Sequence, residues 1–289
     1  MVLTGPVETD LLIAVSSLAQ QIVSGHPPTV LDVRWRLGGP PGRDDYARGH
    51  IPGAVFLDLD AQLCGPPGAG GRHPLPEPAA LQEALRAAGV RAGHPVVAYD
   101  AGDGQAASRL WWTLRWAGHA DVSVLDGGFA AWTEAGEPVS IDEVLPEPGD
   151  VVVRPGRLPV LDAAGAAAMA HDGALLDARI GPRYRGETEP VDPVAGHIPG
   201  ALNLPSADLS SSDGRLLPAG PLRSVFEAAG VRANAPVGAY CGSGVTAART
   251  VLALHLAGRT DAALYVGSWS HWVTDPSRPV ARGQEATHG

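Results

Sequence analysis

The chain has 289 residues, 45% hydrophobic and 18% charged, a composition that suits a soluble globular enzyme of two domains or one large one. Its net charge is −10, from 21 basic and 31 acidic residues with no basic stripe, which argues against nucleic acid as a partner. Two cysteines cannot form a disulfide framework for a chain of this length, which fits a reducing compartment and a cytoplasmic location.

Near the start, Leu11-Leu-Ile-Ala-Val15 is apolar but short, and it follows Glu8 and Asp10 rather than basic residues. It is not expected to be a signal peptide, and no stretch approaches the length of a membrane span, so no membrane partner is expected. Short β-branched runs then predict strands near Thr29–Val33, Val96–Tyr99 and Val122–Leu125. Helical stretches are expected near Ala79–Ala88, Gln105–Ala117 and Phe129–Ala135. Beyond a proline-rich, acidic connection at Gly136–Gly149, strands are predicted again near Ala174–Ala178, Pro236–Tyr240 and Ala263–Val266. This alternation predicts an α/β fold in which parallel sheets carry helices on both faces. The expected division is a first domain over 1–137, a linker over 138–157 and a second domain over 158–289. The polar residues from Pro276 onward are expected to be loosely held.

The chain contains itself twice. Leu31-Asp-Val-Arg34 and Gly49-His-Ile-Pro-Gly-Ala54 return as Leu176-Asp-Ala-Arg179 and Gly196-His-Ile-Pro-Gly-Ala201. Ala88-Gly-Val-Arg91 returns as Ala229-Gly-Val-Arg232, and Gly128-Phe-Ala-Ala-Trp132 is echoed by Ser268-Trp-Ser-His-Trp272. The period is about half the chain, so this is domain duplication rather than a solenoid. Features shared by both halves maintain the fold. His50 and His197 are therefore expected to be structural, and Asp32/Arg34 and Asp177/Arg179 to be local salt bridges at strand ends. Features present in one half only are candidates for function, and the clearest is Cys241, whose counterpart is Asp100.

Cys241 ends the apolar run Val237-Gly-Ala-Tyr240 and opens Cys-Gly-Ser-Gly-Val-Thr, after which a helical stretch begins. Gly242 and Gly244 permit backbone conformations that let successive N–H groups converge, and the start of a helix adds positive potential. Such a nest suits a thiolate, a persulfide anion, or a group gaining negative charge on attack. Ser243 adds a hydroxyl for the donor. A cysteine phosphatase would need an arginine about six positions after the thiol, where Ala247 stands, with Arg249 already a turn into the helix. A dinucleotide site would need a third glycine and a suitable acidic residue, and a metal site would need paired cysteines or clustered histidines. Cys64 is expected to be incidental. Trp111, Trp112, Trp116 and Trp132 are expected in the core or at a domain interface, and Trp35 is expected to pack rather than line a cleft.

From about Val30 to Trp272 the sequence resembles the tandem-domain sulfurtransferases, the group of rhodanese and 3-mercaptopyruvate sulfurtransferase. The carriers are the repeated Gly-His-Ile-Pro-Gly-Ala, Asp126-Gly-Gly-Phe-Ala-Ala-Trp132, Gly267-Ser-Trp269 and Cys241-Gly-Ser-Gly-Val-Thr-Ala247. The resemblance implies two rhodanese-like domains, the first inactive and the second catalytic, with the active site between them and no cofactor. It implies that Cys241 takes sulfur from a small anionic donor, 3-mercaptopyruvate or thiosulfate, as a persulfide. Cyanide, a small thiol or a protein thiol then accepts it, with Gly242, Gly244, Val245 and Thr246 contacting the donor.

The Gly-Ser-Gly loop is similar to that of the mercaptopyruvate enzymes, which also imply two arginines on the donor carboxylate. Arg183 matches the first, but Val191 stands where the second is expected. The same relatives imply a relay matched here by Ser243, His73 and Asp60, the latter two reaching across from the first domain through the loop Cys64–Arg72. Val266 replaces a usual aspartate. An alternative reading, favoured by Val191, is a sulfur carrier loaded by a desulfurase partner.

Overall fold

A computed structural model describes residues 10–284. The first half runs β1 (Leu12–Ile13), α1 (Val15–Ile22), β2 (Thr29–Asp32), α2 (Gly42–Arg48), β3 (Val55–Phe56), α3 (Leu59–Gln62), α4 (Pro78–Ala87), β4 (Val96–Tyr99), α5 (Gln105–Trp116), β5 (Val122–Leu125) and α6 (Gly128–Glu134). The second half runs α7 (Ala163–Asp172), β6 (Ala174–Asp177), α8 (Gly181–Tyr184), β7 (Leu202–Asn203), a 3-10 turn (Ser206–Leu209), α9 (Ala219–Ala228), β8 (Val237–Tyr240), α10 (Val245–Leu256), β9 (Ala263–Leu264) and α11 (Ser268–Trp272).

All strand pairs in both sheets are parallel, in the orders β1-β5-β4-β2-β3 and β7-β6-β8-β9. The central strands β4 and β8 are buried along their whole length, as parallel strands covered on both faces must be. The predicted longer strands coincide with β2, β4, β5, β6, β8 and β9 to within one or two residues. Strands β1, β3 and β7, two residues each, have no counterpart among the predicted ones, whereas the equally short β9 lies inside the apolar run Ala263–Val266. The apolar segment at Leu11–Val15 supplies edge strand β1 and the start of α1.

The repeated motifs do the same work in each half. Arg34 and Arg179 each pair with the aspartate two residues back at 2.6 Å and donate to the carbonyl of Gly49 or Gly196. His50 stacks on Tyr46 and His197 on Tyr184, each with Nδ1 bonded to that tyrosine's carbonyl. The backbone of His50 pairs with Ser140, and that of His197 with Ala281. As far as residue 284 the second pairing corrects the expectation of a loose tail, the remainder of which, 285–289, lies outside the described residues. Trp272 donates to the carbonyl of Pro279, Arg278 donates to that of His271, and the Gly283 N–H donates to Arg185. The polar composition of this segment hides backbone bonds that depend on the second Gly-His-Ile-Pro-Gly loop.

The two halves meet along α5 and α10. Both helices are buried nearly all round, and their apolar residues belong to one core that runs without a break from β2 to β9. A helix that is apolar on every face needs cover on every side, and here each helix covers the other. Trp111 and Trp112 are fully buried, and Trp111 meets His255 edge to face at 5.2 Å. Arg109 of α5 is also fully buried. It donates to the carbonyl of Gly244 at 3.2 Å and to that of His73 at 3.0 Å, so one side chain ties the cysteine loop of one half to a loop of the other. Its replacement by Met is expected to lower the unfolding free energy by about 2–4 kcal/mol, because charge-assisted bonds to two carbonyls are lost together. Urea unfolding with an unchanged m-value measures this.

Candidate active site

Strand β8 delivers Cys241 to a three-residue loop before α10. The thiol is buried, and the Gly244 N–H donates to Sγ at 3.1 Å. Gly244 caps α10 with φ +79°, and a Cβ there would stand 2.3 Å from the carbonyl oxygen of Val266, so only glycine fits. The segment beneath holds the loop still. The Cys241 N–H donates to Ser268 Oγ at 3.1 Å, while Trp269 N–H and Ser270 N–H donate to the carbonyls of Cys241 and Gly242. Ser268 takes φ +53°, a conformation that costs a non-glycine residue about 1–3 kcal/mol and recurs at functional sites.

The first half shows what this strand–loop–helix junction binds. Asp100 occupies the matching place, and its own carboxylate accepts from the N–H groups of Gly102 (3.0 Å), Gly104 (3.0 Å) and Ala107 (3.1 Å). Burial and the neighbouring Asp103 push this carboxyl up to about 6 despite those three donors. The nest is an anion site. In one half it is filled by a fixed side chain, and in the other it surrounds a thiol.

Across the cleft, residues 64–73 fold onto the second half. Gly71 lies at φ +98°, and a Cβ there would stand 2.8 Å from both the Gly267 carbonyl oxygen and Ser270 Oγ. This close approach brings His73 Nδ1 to 2.7 Å from Ser243 Oγ. His73 Nε2 lies 3.0 Å from Asp60, and Asp60 accepts from the indole N–H of Trp35 at 2.9 Å. The partners assign the tautomer: Nε2–H donates to Asp60, and Nδ1 accepts the Ser243 hydroxyl proton. Burial pushes the ring down to about 4 against the pull of Asp60, with Arg109 and Arg72 adding to the fall, so His73 is neutral near pH 7. The sequence-predicted Ser243, His73 and Asp60 thus form one hydrogen-bonded chain. Trp35 corrects the packing expectation, since it lines the cleft and meets His73 edge to face at 5.3 Å.

Cys241, Gly242, Ser243, Val245 and Thr246 line a cavity of about 440 Å³ whose walls include Trp35, Arg72 and Arg183. Thr246 donates to Gln105 at 2.5 Å, a further bond between the halves. Arg183 donates to Glu189 at 2.6 Å and to Asp192 at 3.3 Å. Val191 is 41% exposed and supplies no cation. The residue missed from the sequence is Arg72, which pairs with Asp192 across the cleft. Its Nη2 lies 2.8 Å from where a Cβ of Gly242 would stand. Its position next to His73 was the available signal. Arg179 also borders the cavity, but its guanidinium is spent on Asp177 and Glu189. Cys64 and Cys241 are both free, and burial raises the Cys64 thiol, which keeps it protonated and inert.

These features are those of a duplicated rhodanese-type domain. The rhodanese-like domain profile matches residues 15–135 and 162–275, and the chain belongs to this family. SseB of Mycobacterium tuberculosis, provisionally named a thiosulfate sulfurtransferase, is 46% identical over 94% of this chain and 97% of its own. A Pseudomonas aeruginosa protein, provisionally named a 3-mercaptopyruvate sulfurtransferase, is 49% identical over 88% of this chain and 92% of its own. The crystal structure of SseA from Escherichia coli, described as showing the rhodanese fold and mechanism of 3-mercaptopyruvate sulfotransferases, superposes with a TM-score of 0.80. It is 32% identical and covers 91% of this chain and 100% of its own. The protein is a sulfurtransferase, acting on sulfur donors and thiophilic acceptors.

The depressed His73 has a consequence for stability. In the unfolded chain the ring titrates near its ordinary 6.5, so its contribution is complete above that pH and is lost as pH falls toward 4. His73→Gln is expected to flatten this part of the acid-destabilisation slope. His255, also pushed down to about 4 by burial, leaves its own slope behind. Urea melts at several pH values between 6.5 and 4 measure the difference.

Proposed function

We propose that the protein transfers sulfur from 3-mercaptopyruvate through a Cys241 persulfide. The observation that carries this reading is the Ser243–His73–Asp60 chain reaching the rim of the Cys241 nest from the other half. In the first step Cys241 Sγ attacks the donor sulfur and the carbon–sulfur bond breaks, leaving the pyruvate enolate. The donor thiol proton passes to Ser243 as the hydroxyl proton moves to His73 Nδ1, then returns by the same route to the enolate carbon. Thiolate and mercaptopyruvate thus become persulfide anion and pyruvate with atoms and charge balanced. In the second step cyanide or a thiol attacks the outer sulfur, the sulfur–sulfur bond breaks, and the Cys241 thiolate returns.

Charge supports the monoanionic donor over dianionic thiosulfate. Arg72 and Arg183 at the cavity wall are matched by Glu189 and Asp192, so the wall carries little net positive charge. The carrier alternative rested on Val191 alone, and a wall with two guanidiniums removes its basis. Two free, buried cysteines support a reducing, cytoplasmic setting. Among the described residues no helix is long and apolar enough to cross a membrane.

Incubation with 3-mercaptopyruvate is expected to add one sulfur to the intact protein. Cyanide should remove it, and Cys241→Ser should never acquire it; a native protein that gains no sulfur refutes the reading. Ser243→Ala is expected to slow pyruvate release by about 10²–10⁴-fold, the scale of a lost proton relay. Loading by thiosulfate, whose sulfite leaving group needs no proton on carbon, should fall far less.

A further inference from the structure

The pair of guanidiniums at the cavity wall is already holding a carboxylate. Asp192 places one oxygen on Nη1 of Arg72 and the other on Nη2 of Arg183, so a single carboxylate spans two arginines from different halves of the chain. Both guanidiniums lie over the cysteine loop: a Cβ on Gly242 would stand 2.8 Å from Arg72 Nη2 and 3.6 Å from both Arg183 Nη atoms. The Nε of Arg72 is buried without a hydrogen-bond partner among the described residues, so this side chain has a donor to spare. Its backbone is not free to wander, because its N–H donates to Ser270 Oγ at 3.1 Å. Of the other two arginines lining the cavity, Arg179 is held by Asp177 and Glu189, and Arg36 is 62% exposed and turned to Asp45.

We propose that Arg72 and Arg183 form the clamp for the donor's carboxylate, and that Asp192 is an internal stand-in which the donor displaces. Asp192 suits this part. Desolvation raises its carboxyl against the pull of Arg72, so it is a poorly solvated anion held by its two partners. The donor brings an equivalent carboxylate on a molecule whose sulfur must reach Cys241, and fork-shaped guanidiniums match it bidentately. Because Arg72 comes from the first half, the half that lacks the thiol selects the substrate. The inference rests on the donor being a carboxylate, as proposed above.

The test compares Arg72→Met, Arg72→Lys and Asp192→Asn in the full chain, each checked for native-like thermal unfolding. Two quantities are read: KM and kcat for 3-mercaptopyruvate, and the Kd of pyruvate, a sulfur-free carboxylate, titrated into the same variants carrying Cys241→Ser. Arg72→Met is expected to raise KM and Kd by about 10- to 100-fold, the scale of a lost charge-assisted contact, with kcat nearly unchanged. Arg72→Lys should fall between, since it keeps the charge without the fork. Asp192→Asn should lower both constants, because it removes the competing carboxylate. The proposal is overturned if Arg72→Met leaves both constants unchanged. It is equally overturned if Asp192→Asn raises them as much as Arg72→Met, since Arg72 would then only bridge the halves. If the native protein does not turn over 3-mercaptopyruvate, the donor reading fails, while the pyruvate titration still judges the clamp.

Discussion

The constraint on which the site depends is the convergence of backbone N–H groups where a buried parallel strand gives way to a helix. Peptide dipoles there cannot turn away, so the junction attracts negative charge whatever side chain stands at its centre. Asp100 satisfies three of these donors with its own carboxylate. Cys241 offers a sulfur that receives the Gly244 N–H and leaves room for a donor. The same kind of junction is thus filled by a carboxylate in one half and surrounds a thiol in the other, and both occur in one chain.

That junction is useful only because the other half closes over it. Helices α5 and α10 are buried nearly all round, against one another and against their own sheets, which makes the contact between halves a continuation of the core rather than a loose hinge. The polar groups at the contact are the ones that set the chemistry. Arg109 fixes the carbonyls of Gly244 and His73 in a common frame, and Gly71 lets the loop bearing His73 approach the segment that braces Cys241. A neutral histidine with one partner on each nitrogen is the consequence. The charged wall follows the same logic, with arginines from both halves nearly balanced by Glu189 and Asp192.

Much of this was legible in the chain. The duplication separates shared residues from unshared ones, and it marks His50, His197, Arg34 and Arg179 as scaffold, in keeping with their bonds to neighbouring backbone carbonyls. Val96–Tyr99 and Gln105–Trp116 are long enough to carry their period, and both match the expected spans closely. Short edge strands, the tethered segment after Pro276 and the position of Trp35 were not legible, because each is decided by a distant backbone or side-chain partner rather than by a local pattern.

The sequence by itself determined the fold class, the division into an Asp100 half and a Cys241 half, and the glycine loop around the thiol. These follow from local periodicity, from φ preferences and from comparison of the chain with itself. Only the tertiary structure decided that Arg72 stands beside Arg183 and shares Asp192 with it. A guanidinium 120 residues away from its carboxylate leaves no trace in any window of sequence. Val191 stands where a second cation is expected after Glu189-Pro190, while folding brings Arg72 in from the opposite half.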